Sequence, residues 1–225
     1  MASASAPALP SRNELAGAER ISRGGFANPD VLRVEWAGGV FAVKDFAPRG
    51  WLVRATLGRW IARREQRAWR ALAGHPAVPA YLGAIDALAF AVAYRAGRPL
   101  SRSVARETPP EFFVRLEAAV AEMHARGVVH LDLRHQGNVL VADDGAPVLI
   151  DFGSALVLRP GSFAARIARA LLGWIDRSAV AKWRAYSGAA TGAAAGVGAG
   201  AAADASAGIG EGASSRSSRG ESRAT

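Results

Sequence analysis

The chain has 225 residues and a hydrophobic fraction of 50%, enough for one compact domain or two small lobes with tails. It has no cysteine, which excludes disulfides and thiolate zinc sites. Its formal net charge of +9 lies wholly on residues 21–187, because both ends balance: Arg12 and Arg20 against Glu14 and Glu19, and Arg216, Arg219 and Arg223 against Asp204, Glu211 and Glu221. A basic folded unit suggests an anionic partner such as a nucleotide, a phosphorylated sugar or a membrane surface, the alternative being a solvated arginine-rich exterior. Lysine occurs twice, at Lys44 and Lys182, so a lysine inside an apolar strand calls for a specific role.

Residues 1–19 read as a disordered tail that carries neither a signal peptide nor a membrane span. Val31 to Trp36 and Val40 to Phe46 read as a hairpin centred on Gly38-Gly39, a turn pair that accepts positive φ. That centre pairs Lys44 with Arg33 and puts Lys44, Ala42 and Val31 on one face. A helix follows over 58–73, with Ile61, Glu65, Ala68, Trp69 and Leu72 on one stripe. Glu65 is the odd member, since a carboxylate on a core-facing side needs a partner. Residues 76–97 supply two strands. Thr108-Pro109-Pro110-Glu111 reads as a helix start with a threonine cap, and Phe113, Leu116, Val120 and Met123 form the apolar stripe up to Gly127. A second hairpin joins Val139-Leu140-Val141 to Val148-Leu149-Ile150 through Asp144-Gly145, which sets Asn138 opposite Asp151. Two oxygen ligands converging beside a loop that carries Asp132 suit Mg²⁺, which takes few protein ligands. Residues 163–186 place Phe163, Ile167, Leu171, Trp174, Ile175 and Trp183 at near-helical spacing among arginines. They read as a helix pair packed on the core, or as a basic helix lying on an anionic membrane. Residues 188–225 are Ala/Gly, then Ser/Arg, and read as a flexible tail.

Val40-Phe41-Ala42-Val43-Lys44, Glu65, His130-Leu131-Asp132-Leu133 with Asn138, and Asp151-Phe152-Gly153 stand in the order of the protein-kinase motifs, and the chain resembles that superfamily over about residues 21–155. Its compactness, the basic stretch Arg49–Arg70 and Asp151-Phe152-Gly153-Ser154-Ala155 leading into a basic segment look most like the small bacterial lipopolysaccharide-core and Kdo kinases. The resemblance implies an α+β, two-lobed kinase-like fold, with a small antiparallel-sheet N-lobe over 20–98 and a truncated helical C-lobe over 99–187. It implies that Lys44, with Val31, Ala42, Gly24 and Gly25, binds ATP, and that Glu65 orients Lys44. Asp132 would be the base, Arg134 would neutralise the transferred phosphoryl group, and Asn138 and Asp151 would hold Mg²⁺. The expected acceptor is a hydroxyl of a sugar or a protein. The expected state is a cytoplasmic monomer with peripheral contact at the inner membrane face and no nucleic-acid partner.

Four features depart from the kinase pattern. Ser22-Arg23-Gly24-Gly25-Phe26 lacks the full glycine signature, and Leu131 replaces the usual arginine. Asn138 stands six positions after Asp132, one more than the pattern, so a residue must bulge out among Arg134, His135, Gln136 and Gly137, with Gln136 as the rival metal ligand. No long activation segment with its closing motif follows Ala155. A small protein serine/threonine kinase and a pseudokinase scaffold remain the alternatives.

Overall fold

A computed structural model describes residues 8–26 and 28–197, with side chains up to Ser187. The expected flexible tail lies outside the described residues from 198 onward, while the backbone of 188–197 continues a helix. The architecture is mixed α+β, a five-stranded antiparallel sheet with several helices, and is compatible with a small kinase-like two-lobe fold.

The sheet comprises β1 (Glu19–Ser22), β2 (Asp30–Trp36), β3 (Gly39–Asp45), β4 (Tyr81–Ala84) and β5 (Ala89–Ala93), in the order β1-β2-β3-β5-β4. Two helices, α1 (Trp51–Ala55) and α2 (Leu57–Ala71), follow β3. The strands alternate, so each face needs cover. On one face, Phe46 and Phe90 join Ala62, Ala68 and Trp69 of α2 in the main core. On the other, Val34, Val43, Ala89 and Ala91 pack with Leu15. The expected disorder over 1–19 therefore fails for part of that stretch. Arg12–Leu15 forms a 3-10 turn, Leu15 covers the sheet, and Arg12 bonds Asp45 at 2.8 Å and Asp86 at 2.6 Å.

The first hairpin closes one position earlier than expected. Trp36 pairs with Gly39, and Ala37 (φ 49°) and Gly38 (φ 77°) form the turn, so Lys44 faces Val31 and not Arg33. The two registers differ by two along each strand and keep every side chain on its face, so apolar alternation cannot separate them. Lys44, Ala42 and Val31 still share a face.

The remainder is largely helical. A short strand β6 (Gly97–Pro99) leads to α3 (Arg102–Glu107) and α4 (Pro110–Ala125). Thr108 does not cap α4: it ends α3, its hydroxyl donating to the Val104 carbonyl at 2.7 Å, and Pro109 takes the cap position. The expected stripe of α4 is buried, with Phe113, Leu116 and Met123 fully enclosed. Next come β7 (Val128–Val129), β8 (Val139–Ala142), β9 (Pro147–Leu149), β10 (Leu156–Val157), α5 (Phe163–Leu171) and α6 (Gly173–Val197). β10 pairs with β7, and β6-β8-β9 form a three-stranded sheet.

The second hairpin shifts by one. Val139 pairs with Leu149, and the loop is Asp143-Asp144-Gly145, with Gly145 at φ 72°. This is the three-residue hairpin that uses glycine in the left-handed region. Asn138 consequently faces Ile150, whose N–H donates to the Asn138 carbonyl at 3.0 Å, and not Asp151. Both strands are uninterrupted apolar runs, which carry no phase information.

Candidate active site

Lys44 sits near the end of β3, is largely buried, and donates to Glu65 Oε1 at 2.5 Å and to Asp151 Oδ1 at 2.7 Å. Glu65 comes from the buried face of α2 and also accepts from Trp69 Nε1 at 3.3 Å. Its Oε2 is buried without a partner. Burial opposes the Lys44 charge, but the two carboxylates outweigh it and raise its pKa above that of an ordinary lysine. Burial pushes the Glu65 carboxyl above the usual range, with Lys44 opposing. Lys44 holds the Asp151 carboxyl below the usual range.

Asp151 reaches Lys44 through a backbone kink rather than through strand pairing. Its φ of 63° and ψ of 67° are left-handed, at a cost of about 1–2 kcal/mol for a residue with a Cβ. The kink swings the carboxylate out of the strand, leaving its side chain about half exposed. Phe152, fully buried, packs edge-on to Trp69 and against His130, each with ring centroids 4.9 Å apart, and fixes the kink from below.

The loop after β7 has a second left-handed residue, Leu131 at φ 70°. Asp176, fully buried on the first turn of α6, holds it: the N–H groups of His130 and Leu131 each donate to its carboxylate at 2.8 Å, and His124 Nε2 lies 2.9 Å away. Trp183, two helical turns on, donates to the Leu133 carbonyl at 3.0 Å. His130 Nε2 lies 3.0 Å from the Ile150 carbonyl, and its Nδ1 accepts from the Asp132 N–H at 3.4 Å, an arrangement that suits a neutral ring. Burial lowers its pKa.

The extra residue of this loop is absorbed by two consecutive turns, closed by His135 N–H to the Asp132 carbonyl at 3.3 Å and Asn138 N–H to the His135 carbonyl at 3.1 Å. Gly137 is not at positive φ, and its N–H donates to His135 Nδ1 at 3.2 Å. Buried Asn138 reaches back, its Nδ2 donating to the Asp132 carbonyl at 2.8 Å and to Asp132 Oδ2 at 2.9 Å. Gln136 is exposed.

A cleft of about 550 Å³ joins these parts. Val31, Ala42, Leu140 and Ile150 give it apolar walls, and Gly24, Gly25, Lys44, Asn138 and Asp151 line its polar end. Asp132 adjoins the cleft through Asn138. Arg134 is not brought in: its side chain is exposed, does not line the cleft, and its carbonyl is 3.4 Å from Lys182 Nζ.

Sequence reasoning missed three supports. Asp176 broke the apolar pattern of a helix as Glu65 did, and that signal was readable. Asp30 and Arg49 were not, because a basic stretch hides one committed arginine. Buried Asp30 accepts from the Gly24 N–H at 2.9 Å and pairs with Arg49, which donates to the Gly24 and Gly25 carbonyls at 2.7 and 2.8 Å. A Cβ at Gly24 would stand 2.1 Å from the Asn28 carbonyl oxygen, so this turn requires glycine.

The site suits a nucleotide and Mg²⁺. The cleft volume lies in the range of small-ligand sites. Asn138 Oδ1 and the Asp151 carboxylate offer hard oxygen ligands, and Lys44 offers a charge for phosphate. Among the described residues no cluster of three or more His, Cys, Asp or Glu side chains converges as a metal site of another type.

Comparisons with known proteins point the same way. Over 156 residues, 62% of the chain, the sequence is 32% identical to the serine/threonine-protein kinase PknK of Mycobacterium tuberculosis, and equally to PknK of Mycobacterium bovis. Over 76 residues, 30% of the chain, it is 42% identical to a probable SapB synthase of Streptomyces coelicolor. The matches take in 13% of the length of the PknK proteins and 8% of the synthase, so the chain spans a small part of each relative. No protein-family model matches. The similarity to a protein kinase supports a kinase-like relationship and suggests phosphotransfer in general.

Proposed function

We propose that the chain is an ATP- and Mg²⁺-dependent phosphotransferase acting on a hydroxyl, with a lipopolysaccharide-core or similar sugar as acceptor. The observation that carries this reading is buried Lys44 bridging Glu65 and Asp151 at the polar end of a nucleotide-sized cleft. Val31, Ala42 and Leu140 sandwich the base. Lys44, oriented by Glu65, contacts the α- and β-phosphates. Asn138 Oδ1 and Asp151 hold Mg²⁺, which when bound neutralises phosphate charge. The Asp132 carboxylate takes the proton of the acceptor hydroxyl. The acceptor oxygen bonds to the γ-phosphorus, the bridging oxygen–phosphorus bond breaks, and ADP leaves with that electron pair. Arg134, exposed outside the cleft, takes no part.

The sugar acceptor is supported by the short passage from Phe152 to α5, a 3-10 turn and β10, which leaves little surface for a peptide. A protein acceptor is the second reading, favoured by the similarity to PknK. We also propose a peripheral seat on an anionic membrane. Phe163 (75% exposed) and Leu171 (64%) on α5 and Trp174 (57%) at the start of α6 are exposed apolar side chains, and Arg166, Arg169 and Arg177 on the same two helices are exposed as well. No helix among the described residues is long and apolar enough to cross a membrane.

Transfer from γ-labelled ATP to lipid-linked core sugar, to generic protein acceptors and to the protein itself tests the reading. Label in the sugar, lost in Asp132→Asn, is the expected result. Label in protein alone establishes the second reading, and no transfer to any acceptor leaves a scaffold.

A further inference from the structure

A second hollow, about 520 Å³, lies on the outer side of α2 and is lined by Arg59, Arg63, Arg64 and Arg67 with Trp60 and Leu156. Three of these arginines recur every fourth residue and are exposed, so they form one row along the helix. None of the three has a carboxylate partner among the described residues, whereas Arg12, Arg33 and Arg184 each face one. The sole carboxylate on α2, Glu65, is turned to the opposite side and committed to Lys44. Arginines four apart repel, and those in the first turn also oppose the helix dipole. A row of this kind gains stability from an anion that sits against it.

The opposite wall is built and fixed. Arg64 donates to the Ser154 carbonyl at 2.7 Å and the Ala155 carbonyl at 3.1 Å, and its guanidinium lies 5.2 Å from the centre of the Trp60 ring. Arg64 is therefore occupied in joining α2 to the segment after Asp151, at one edge of the groove. Arg59, Arg63 and Arg67 remain free to aim forks at a ligand, and Trp60, Ala155, Leu156 and Val157 give an apolar wall beside them.

We propose that this groove is a binding site for a phosphate ester, separate from the nucleotide cleft. Planar guanidinium forks match tetrahedral phosphate oxygens in pairs, which three neighbouring arginines supply better than a diffuse surface charge. The apolar wall takes the uncharged part of the same molecule. Occupancy clamps α2, which carries Glu65, to β10, which follows Asp151 in the chain. The phosphate can be carried by a soluble ligand or by a lipid headgroup.

Titration of the full chain with inorganic pyrophosphate, read by calorimetry, tests the site without reference to phosphotransfer. Arg63→Gln/Arg67→Gln should weaken binding at least tenfold. A charge-matched control, Arg106→Gln/Arg159→Gln, at exposed arginines away from both surfaces, should change it less than twofold, with melting temperatures recorded for both. A parallel sedimentation with phosphatidylglycerol vesicles separates the sources. Capture weakened by Arg63→Gln/Arg67→Gln, beyond what the α5 and α6 face retains, assigns a lipid headgroup, and capture unchanged while pyrophosphate affinity falls assigns a soluble ligand. Equal weakening by both double variants, unchanged affinity in Arg63→Gln/Arg67→Gln, or no pyrophosphate binding to the unaltered chain overturns the proposal.

Discussion

Lys44 is held between two carboxylates on different elements, so its removal has two separable effects. Lys44→Met leaves Glu65 buried without its ion partner, and an uncompensated buried charge costs about 3–5 kcal/mol when it cannot be neutralised. Protonation of Glu65 lowers that cost, because burial already favours its neutral form. We expect a clear fall in urea midpoint that lessens toward pH 5, together with loss of nucleotide affinity; a midpoint equal to that of the unaltered protein would contradict the ion-pair account. Asp176, on α6, provides the matching test. Asp176→Asn turns one accepting oxygen into a donor facing the His130 and Leu131 N–H groups. About 2–4 kcal/mol of stability should be lost, by urea unfolding, because a satisfied buried acceptor becomes a clash of donors. Lys44 and Glu65 were legible in the sequence because each broke an apolar pattern. Asp30 and Arg49 were not, because their pairing spans the turn between strands and an arginine-rich composition offers many equivalent candidates.

At the scale of elements, the two hairpins show what a sequence pattern can and cannot specify. The first was misplaced because Ala37, a residue with a Cβ, occupies a left-handed turn position that glycine would be expected to take. The misplacement kept the faces, so Val31, Ala42 and Lys44 emerged together regardless. The second was misplaced by one because its loop holds three residues rather than two, and such a slip turns each side chain to the other face. Asn138 and Asp151 still line one cleft, through the left-handed kink at Asp151 and not through cross-strand pairing. The short turn after β1 has a related dependence, since Arg49 ties the Gly24 and Gly25 carbonyls to Asp30. Arg49→Met should raise the dissociation constant for Mg·ATP about tenfold while lowering the melting temperature by only a few degrees. Unchanged affinity would mean that this turn does not contact the nucleotide.

For the whole molecule, acid sensitivity follows from histidines buried in neutral form. Burial lowers the pKa of both His75 and His130 below the ordinary value near 6.5. Above that value neither the folded nor the unfolded chain is protonated at these sites, and their contribution to stability is complete. Below it the unfolded chain takes up protons that the native state refuses, so stability falls by up to about 1.4 kcal/mol per pH unit for each histidine, until the native pKa values are reached. The lowered carboxyls of Asp86 and Asp151 act in a separate window, below the ordinary aspartate value of 3.8. Urea midpoints between pH 7.5 and 5 should fall less in His75→Gln than in the unaltered protein, the raised Glu65 carboxyl acting in the opposite sense in both; identical pH profiles for the two proteins would contradict a buried, neutral His75. The fold class was readable through the resemblance that the ordered motifs carry, while turn and period signals located the individual elements. The role of α6 as the scaffold of the 130–138 loop was not, because it rests on Asp176 and Trp183 meeting residues distant in the chain.

We expect one cleft to bind nucleotide and Mg²⁺ together through Lys44, Asn138 and Asp151. Calorimetric titration with ATP, in the presence and absence of Mg²⁺, tests it directly. Binding should require Mg²⁺ for full affinity, weaken at least tenfold in Lys44→Met, and lose its Mg²⁺ dependence in Asp151→Ala, with Gln136→Ala behaving as the unaltered protein. No heat from Mg·ATP with folded protein, or a Mg²⁺ dependence that survives Asp151→Ala and vanishes in Gln136→Ala, would contradict the account.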